Sequence, residues 1–168
     1  MTRNFTPFPE LMTARLHLRE LRNDDAPEVL VLRSDDEVNR YIDRAPALTL
    51  ANARSFIDRI RHGVSTDHWL YWAVAVKDAG KLIGTVSLWN FDPDEGSGAL
   101  GYELLPGEQG RGYMQEAVSA VIAYAFGEIR LNAIRAVTRD ENQPSVRLLL
   151  KRELRNTRFT LEMKPPRI

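Results

Sequence analysis

Residues 106–112 read Pro106-Gly107-Glu108-Gln109-Gly110-Arg111-Gly112, with three glycines in six positions, which rules out regular structure and favours backbone paths open mainly to glycine. The run follows a strand-like segment and opens a helix-like one. The backbone donors of Gln109, Gly110, Arg111, Gly112, Tyr113 and Met114, together with the positive end of the helix dipole, therefore converge on one spot suited to an anion. Composition alone reads the same run as a tight strand-to-helix turn. It is not a nucleoside-triphosphate loop of the Walker type, because Tyr113 and Met114 stand where Lys and Ser or Thr are required. A second glycine pattern, Gly96-Ser97-Gly98-Ala99-Leu100-Gly101, matches the dinucleotide fingerprint letter for letter. It precedes a strand instead of following one, so it cannot aim amides at a pyrophosphate.

Other reactive groups are sparse. The chain has no cysteine, which excludes disulfides, thiolate nucleophiles and Cys-ligated zinc. His17, His62 and His68 lack metal-ligand spacing, so no metal is expected. Trp69, Trp72 and Trp89 fall on adjacent strands and read as core or pocket wall, not as a platform for stacked bases.

The elements that must position the glycine run fit one domain spanning residues 1–168. Hydrophobic residues make up 43% and charged residues 27%, as in an ordinary globular protein. The formal net charge is zero and the pI about 6.9, which argues against a nucleic-acid binder relying on a wholly basic face. Charge is uneven all the same, since residues 151–168 carry a net +4 and the rest a net −4. No apolar run is long enough to span a bilayer, and Pro7 and Pro9 interrupt the stretch a signal peptide would need, so a cytoplasmic protein with no membrane partner is expected.

Residues 15–19 alternate as a half-buried strand. Asn23 or Asp24 then caps a helix reaching about Arg33, and a second, amphipathic helix begins near Thr49 and stops at Gly63. Residues 69–77 and 81–91 form a hairpin through Asp78-Ala79-Gly80, and residues 99–105 form a fourth strand. The helix after Gly112 is apolar over most of its surface and ends at Gly127. Residues 133–138 make a fifth strand and Asn142-Gln143-Pro144-Ser145 opens a last helix. Beyond Lys151 the period degrades, although 159–163 alternates weakly. This order predicts an α/β or α+β fold: a mixed, mostly antiparallel sheet flanked by helices, with an atypical C-terminal end.

The run Gly101-Tyr102-Glu103-Leu104-Leu105-Pro106, then Gln109-Gly110-Arg111-Gly112-Tyr113-Met114 and Glu116-Ala117, resembles the acyl-CoA-binding segment of the GNAT superfamily of N-acetyltransferases. Ala14-Arg15-Leu16-His17-Leu18-Arg19, Tyr71-Trp72-Ala73-Val74, Leu82-Ile83-Gly84-Thr85-Val86 and Asn142-Gln143-Pro144-Ser145 stand in the order of its ribosomal-protein alanine N-acetyltransferase branch. The resemblance covers about 13–151 and leaves 152–168 as a divergent basic tail.

The resemblance implies transfer of an acetyl group from acetyl-CoA, without a metal, directly to a primary amine on a protein N-terminus or small molecule. Its fourth and fifth strands would splay and take the pantetheine arm between them, Glu103, Leu104 and Leu105 supplying the edge and an amide near Leu104 polarising the thioester carbonyl. The pyrophosphate would sit on amides from Gly110 to Met114, with Gln109 in the motif and Arg111 adding a contact. Glu103 is the candidate general base and Ser145 the candidate donor to the departing thiolate, with Asn142 capping its helix beside the CoA arm.

Three departures stand out. Met114 replaces a small residue and is expected to crowd the loop slightly. Ala99 replaces a Glu of many relatives, and Leu149 a Tyr of other branches. Relatives also follow the last helix with a Gly-Phe pair and a closing hairpin, whereas this chain reads Leu148-Leu149-Leu150-Lys151-Arg152-Glu153-Leu154. The tail then has the character of a frameshifted or truncated end. Without the hairpin, the sheet edge must be paired by the tail or by another chain, which predicts a homodimer. These departures also support an alternative: a catalytically impaired CoA-binding or partner-binding protein of the same fold.

Overall fold

A computed structural model describes residues 4–153 and 159–164. Seven strands form one sheet in chain order: β1 (Leu11–Met12), β2 (Leu16–Glu20), β3 (Leu70–Val76), β4 (Leu82–Asp92), β5 (Ser97–Leu104), β6 (Ala133–Arg139) and β7 (Phe159–Lys164). Pairing is antiparallel from β1 to β5 and parallel from β5 through β7. The parallel pairs are linked by helices, α4 (Tyr113–Gly127) between β5 and β6 and α5 (Gln143–Glu153) between β6 and β7. Parallel neighbours need such crossovers, because the chain must return to the same end of the sheet.

Each face of the sheet has its own apolar cluster. Met114, Ala117, Val118, Val121 and Ala125 of α4 and Leu149 of α5 pack with Leu16, Leu18, Trp72, Val86, Leu100 and Ile134. The other cluster joins α1 (Ala26–Ser34) and α3 (Leu50–Ser65) to Ala73 and Leu82. A short α2 (Asp36–Asn39) leads into the segment before α3. Trp72 is fully buried and donates its indole N–H to the Pro9 carbonyl at 2.7 Å, tying the N-terminal segment to the sheet.

Two helix ends depart from the sequence reading. Gly63 does not stop α3, which continues to Ser65. A Cβ at Gly63 would lie 2.0 Å from the Trp69 ring, so the glycine admits the indole. At the start of α1, neither Asn23 nor Asp24 caps. Asp25 instead accepts the Arg22 amide at 2.8 Å and pairs with Arg19, both side chains being buried. Of the two ways of closing the sheet edge, the chain supplies one itself: β7 lies along β6 from Ile134↔Phe159 to Arg139↔Lys164.

Candidate active site

β5 and β6 pair only from Ser97↔Ala133 to Leu100↔Ala136. Beyond that point, residues 101–104 pair with β4 alone and 137–139 with β7 alone, so a gap opens between two parallel strands in mid-sheet. Leu105 donates its amide to the Ile83 carbonyl of β4 at 2.9 Å. By the alternation of an antiparallel strand, the Tyr102 and Leu104 amides then face the gap. The Leu104 carbonyl accepts from the Gln109 side chain at 3.2 Å, which fastens the glycine run to the mouth of the gap. Leu105 itself packs against the α1 and α3 cluster.

Gly110 and Gly112 adopt φ of 77° and 79°, a left-handed geometry costly for any other residue, and no side chain caps α4 at Tyr113. Left-handed residues ahead of an uncapped helix start form a concave row of amides suited to an anion. Arg15 braces this loop. Its guanidinium donates to the Arg111 carbonyl at 2.9 Å, pairs with Glu116 at 2.8 Å and lies 4.6 Å from the Tyr113 ring centroid. Arg111 is more exposed and pairs with Glu108 at 3.4 Å. Met114 does not crowd the loop as expected, because its side chain is buried in the core.

Burial alone would raise the Glu116 carboxyl, but bonds from the Thr13 hydroxyl and from the Arg15 amide and guanidinium bring it below its ordinary 4.5. A depressed carboxylate stabilises the fold in full above its ordinary value and loses that contribution as pH falls through the lowered one. Acidification should therefore loosen the loop ahead of the sheet. Hydrogen exchange of residues 110–116 at pH ~3 against pH ~6 would show it as an early loss of protection. Exchange that rises uniformly over the whole chain would contradict this.

A pair of hydroxyls bridges β5 and α5. Tyr102 Oη lies 2.6 Å from Ser145 Oγ, and the Ser145 amide donates to Asn142 Oδ1 at 3.4 Å in the first turn of α5. Burial pushes the Tyr102 phenol up to about 12 against the opposing effect of the Ser145 bond, so it carries its proton at neutral pH. The family resemblance singles out Ser145 and Asn142 but assigns Tyr102 no role.

Glu103 lies one residue further along β5 and on its opposite face, across from Thr85. Arg44, from the segment between α2 and α3, grips it with both guanidinium nitrogens, the second contact being 3.3 Å. Asn39 orients Arg44 by accepting its Nε–H at 2.7 Å. Both partners are only 13–14% exposed, so the pair is largely screened from water. A carboxylate offers about four acceptor positions and Arg44 uses two, so Glu103 can still accept a hydrogen bond from another group. No periodicity in the sequence between α2 and α3 signals that Arg44 reaches the strand.

Among the described residues no group of three His, Asp or Glu side chains is placed to hold a metal ion, and no helix is long and apolar enough to cross a membrane.

Comparison with known proteins agrees with this geometry. The acetyltransferase (GNAT) domain family matches residues 15–155. The uncharacterised N-acetyltransferase p20 of Bacillus licheniformis is 33% identical over 139 residues, covering 83% of this chain and 78% of the relative. The uncharacterised N-acetyltransferase YoaA of Bacillus subtilis is 32% identical over 144 residues, covering 86% and 81%. Among solved structures, a Vibrio cholerae protein provisionally assigned as a ribosomal-protein-serine acetyltransferase superposes with a TM-score of 0.75 at 26% identity, covering 86% of this chain and 82% of that one. The ribosomal-protein-S5-alanine acetyltransferase of Vibrio fischeri shares the fold, with a TM-score of 0.72 at 22% identity over 85% and 81%.

Proposed function

Because the chain belongs to the GNAT acetyltransferase family, whose members use acetyl-CoA, we propose that it moves an acetyl group from acetyl-CoA to a primary amine by direct transfer. The observation that carries this reading is the strand gap, with its inward-facing amides, ending at an uncapped helix start lined by two left-handed glycines. Acetyl-CoA supplies the activated acyl group. The amides from Gly110 to Met114 hold its pyrophosphate, with Arg111 and the braced Arg15 adding positive charge. The Leu104 amide faces the position where negative charge develops on the thioester oxygen.

Residues on the two faces of β5 then divide the proton work. Glu103 takes the proton of the attacking amine, and the Tyr102–Ser145 pair delivers one to the departing sulfur. Asn142 keeps Ser145 in place by capping α5. A cytoplasmic homodimer joined along β7, the terminal strand of the sheet, completes the proposal, and a monomer in sedimentation velocity would remove that part.

Calorimetric titration with acetyl-CoA, followed by thiol release over a panel of amines that includes N-terminal peptides, tests the reading. Micromolar binding with thiol release is expected, and Tyr102→Phe should lower kcat by about tenfold or more with little change in acetyl-CoA affinity. Binding without turnover of any amine would make the protein a CoA binder. Absence of binding would reduce the glycine run to a turn.

A further inference from the structure

The face of the sheet that carries Glu103 also holds a groove of about 240 Å³, walled by Arg59 and Ile60 of α3, Trp69, Tyr71, Ser87 and Trp89. Its volume falls below the ~300–1,000 Å³ of sites for drug-sized ligands, so it suits a molecule the size of an amino acid. Trp89 is half exposed, so its ring presents apolar surface to the open side of the groove. The floor is open because residue 101 is glycine. A Cβ there would sit 2.9 Å from Ser87 Oγ and 3.6 Å from the Trp89 ring nitrogen. Glu103 lies two residues further on, on the face of β5 that Gly101 shares, and Tyr71 links the groove to that end through its 3.1 Å bond to Thr85 Oγ1.

The charge beside this groove is not balanced. Arg33 and Arg59 lean on the Phe56 ring, 3.8 and 5.4 Å from its centroid, and Phe56 meets Tyr71 edge-on at 5.8 Å. Neither guanidinium has a carboxylate partner within ion-pair distance among the described residues, and Glu103, whose charge Arg33 senses, is taken by Arg44. Arg33 thus lies within charge range of the Arg44–Glu103 pair and of Arg59, which leaves positive charge in excess beside an aromatic groove. Arg33 is half-buried, and burial together with the like charges of Arg44 and Arg59 makes its proton easier to lose than in water, the sign of an uncompensated site.

We propose that the acceptor is a small amine bearing both a carboxylate and an apolar, preferably aromatic body, as in an apolar α-amino acid. Its carboxylate pairs with Arg59 and Arg33, its body lies between Ile60, Trp69, Tyr71 and Trp89, and its amine points along β5 toward Glu103. The assignment rests on the N-acetyltransferase reading and adds the substrate class. In the step itself the amine nitrogen bonds to the acetyl carbon and the carbon–sulfur bond breaks. The electron pair leaves on sulfur, the nitrogen loses a proton to Glu103, and sulfur gains one from the Tyr102–Ser145 pair.

Phenylalanine and phenethylamine differ only in the carboxylate and make a matched test. Phenylalanine should show kcat/KM about a hundredfold higher, and in Arg59→Gln that ratio should fall by about tenfold, mainly through KM. Arg59→Lys should recover part of it. Arg59 is exposed, so its variants keep the fold. Equal rates for the two amines, or turnover of peptide N-termini with none of phenylalanine, would overturn the assignment. A second readout does not depend on turnover, because Trp69 and Trp89 line the groove. N-acetylphenylalanine added to the CoA-loaded protein should change tryptophan fluorescence saturably, with affinity about tenfold weaker in Arg59→Gln. If no amine is acetylated but this signal appears, the transferase reading fails and the carboxylate-binding groove stands; an unsaturable signal overturns the groove.

Discussion

Glu103→Gln is expected to lower kcat by about 10²–10⁴ while leaving acetyl-CoA affinity within about threefold. The amide is nearly isosteric and its oxygen still accepts from Arg44, but it cannot take up the proton that the attacking amine must lose. Arg44→Gln separates this role from a purely architectural one. It removes the grip on Glu103, seen at 3.3 Å through the second nitrogen, and leaves the carboxylate in place. A loss of only about tenfold is expected there, because the base is then mispositioned but not absent. Equal losses in the two variants would make Glu103 a positioning residue. An unchanged kcat in Glu103→Gln would move the base elsewhere.

That Glu103 could be singled out by resemblance while Arg44 could not follows from the range of the signals. Glu103 sits on a strand whose alternation fixes its face, directly before a glycine run whose conformation is a local property. The loop, the strand order and the helix that follows are all written in contiguous residues, and Gly110 and Gly112 adopt the left-handed backbone their spacing suggested. Arg44 reaches Glu103 across 59 positions from an irregular segment, and no periodicity constrains where such a side chain ends. Tyr102 was missed for a related reason. Its partner Ser145 is 43 positions away, and only the β5–α4–β6–α5 path brings the two hydroxyls together. Gly63 shows the opposite error: a residue type with a strong local meaning was placed by a distant contact, the Trp69 ring. The β7 strand was faint because its alternation is weak, and a parallel edge strand draws its stability from pairing more than from propensity.

Asp25→Ala should destabilise the fold by about 4 kcal/mol, because it strands a buried guanidinium. Arg19 is 4% exposed and Asp25 5%, and they meet through two bonds of 2.7 and 2.9 Å. The Asp25 bond holds the Arg19 guanidinium charged more firmly than in water, and without it burial opposes a charge that a guanidinium does not give up at ordinary pH. Two further donations, to the Glu20 and Gly80 carbonyls at 3.0 and 3.1 Å, tie β2 to the turn between β3 and β4. At roughly 2–4 °C per kcal/mol for a chain of this length, the melting temperature should fall by roughly 10 °C. Replacing both partners with apolar residues removes the stranded charge and should recover much of the loss, since a buried ion pair and a well-packed apolar pair are often similar in stability. Recovery stays incomplete here, because Asp25 also accepts the Arg22 amide at 2.8 Å at the entry to α1. That residual difference, read by thermal melting of the single and double variants, isolates what the carboxylate does for the helix start. A single variant that melts within about 2 °C of the parent would mean that water reaches Arg19 once Asp25 is gone.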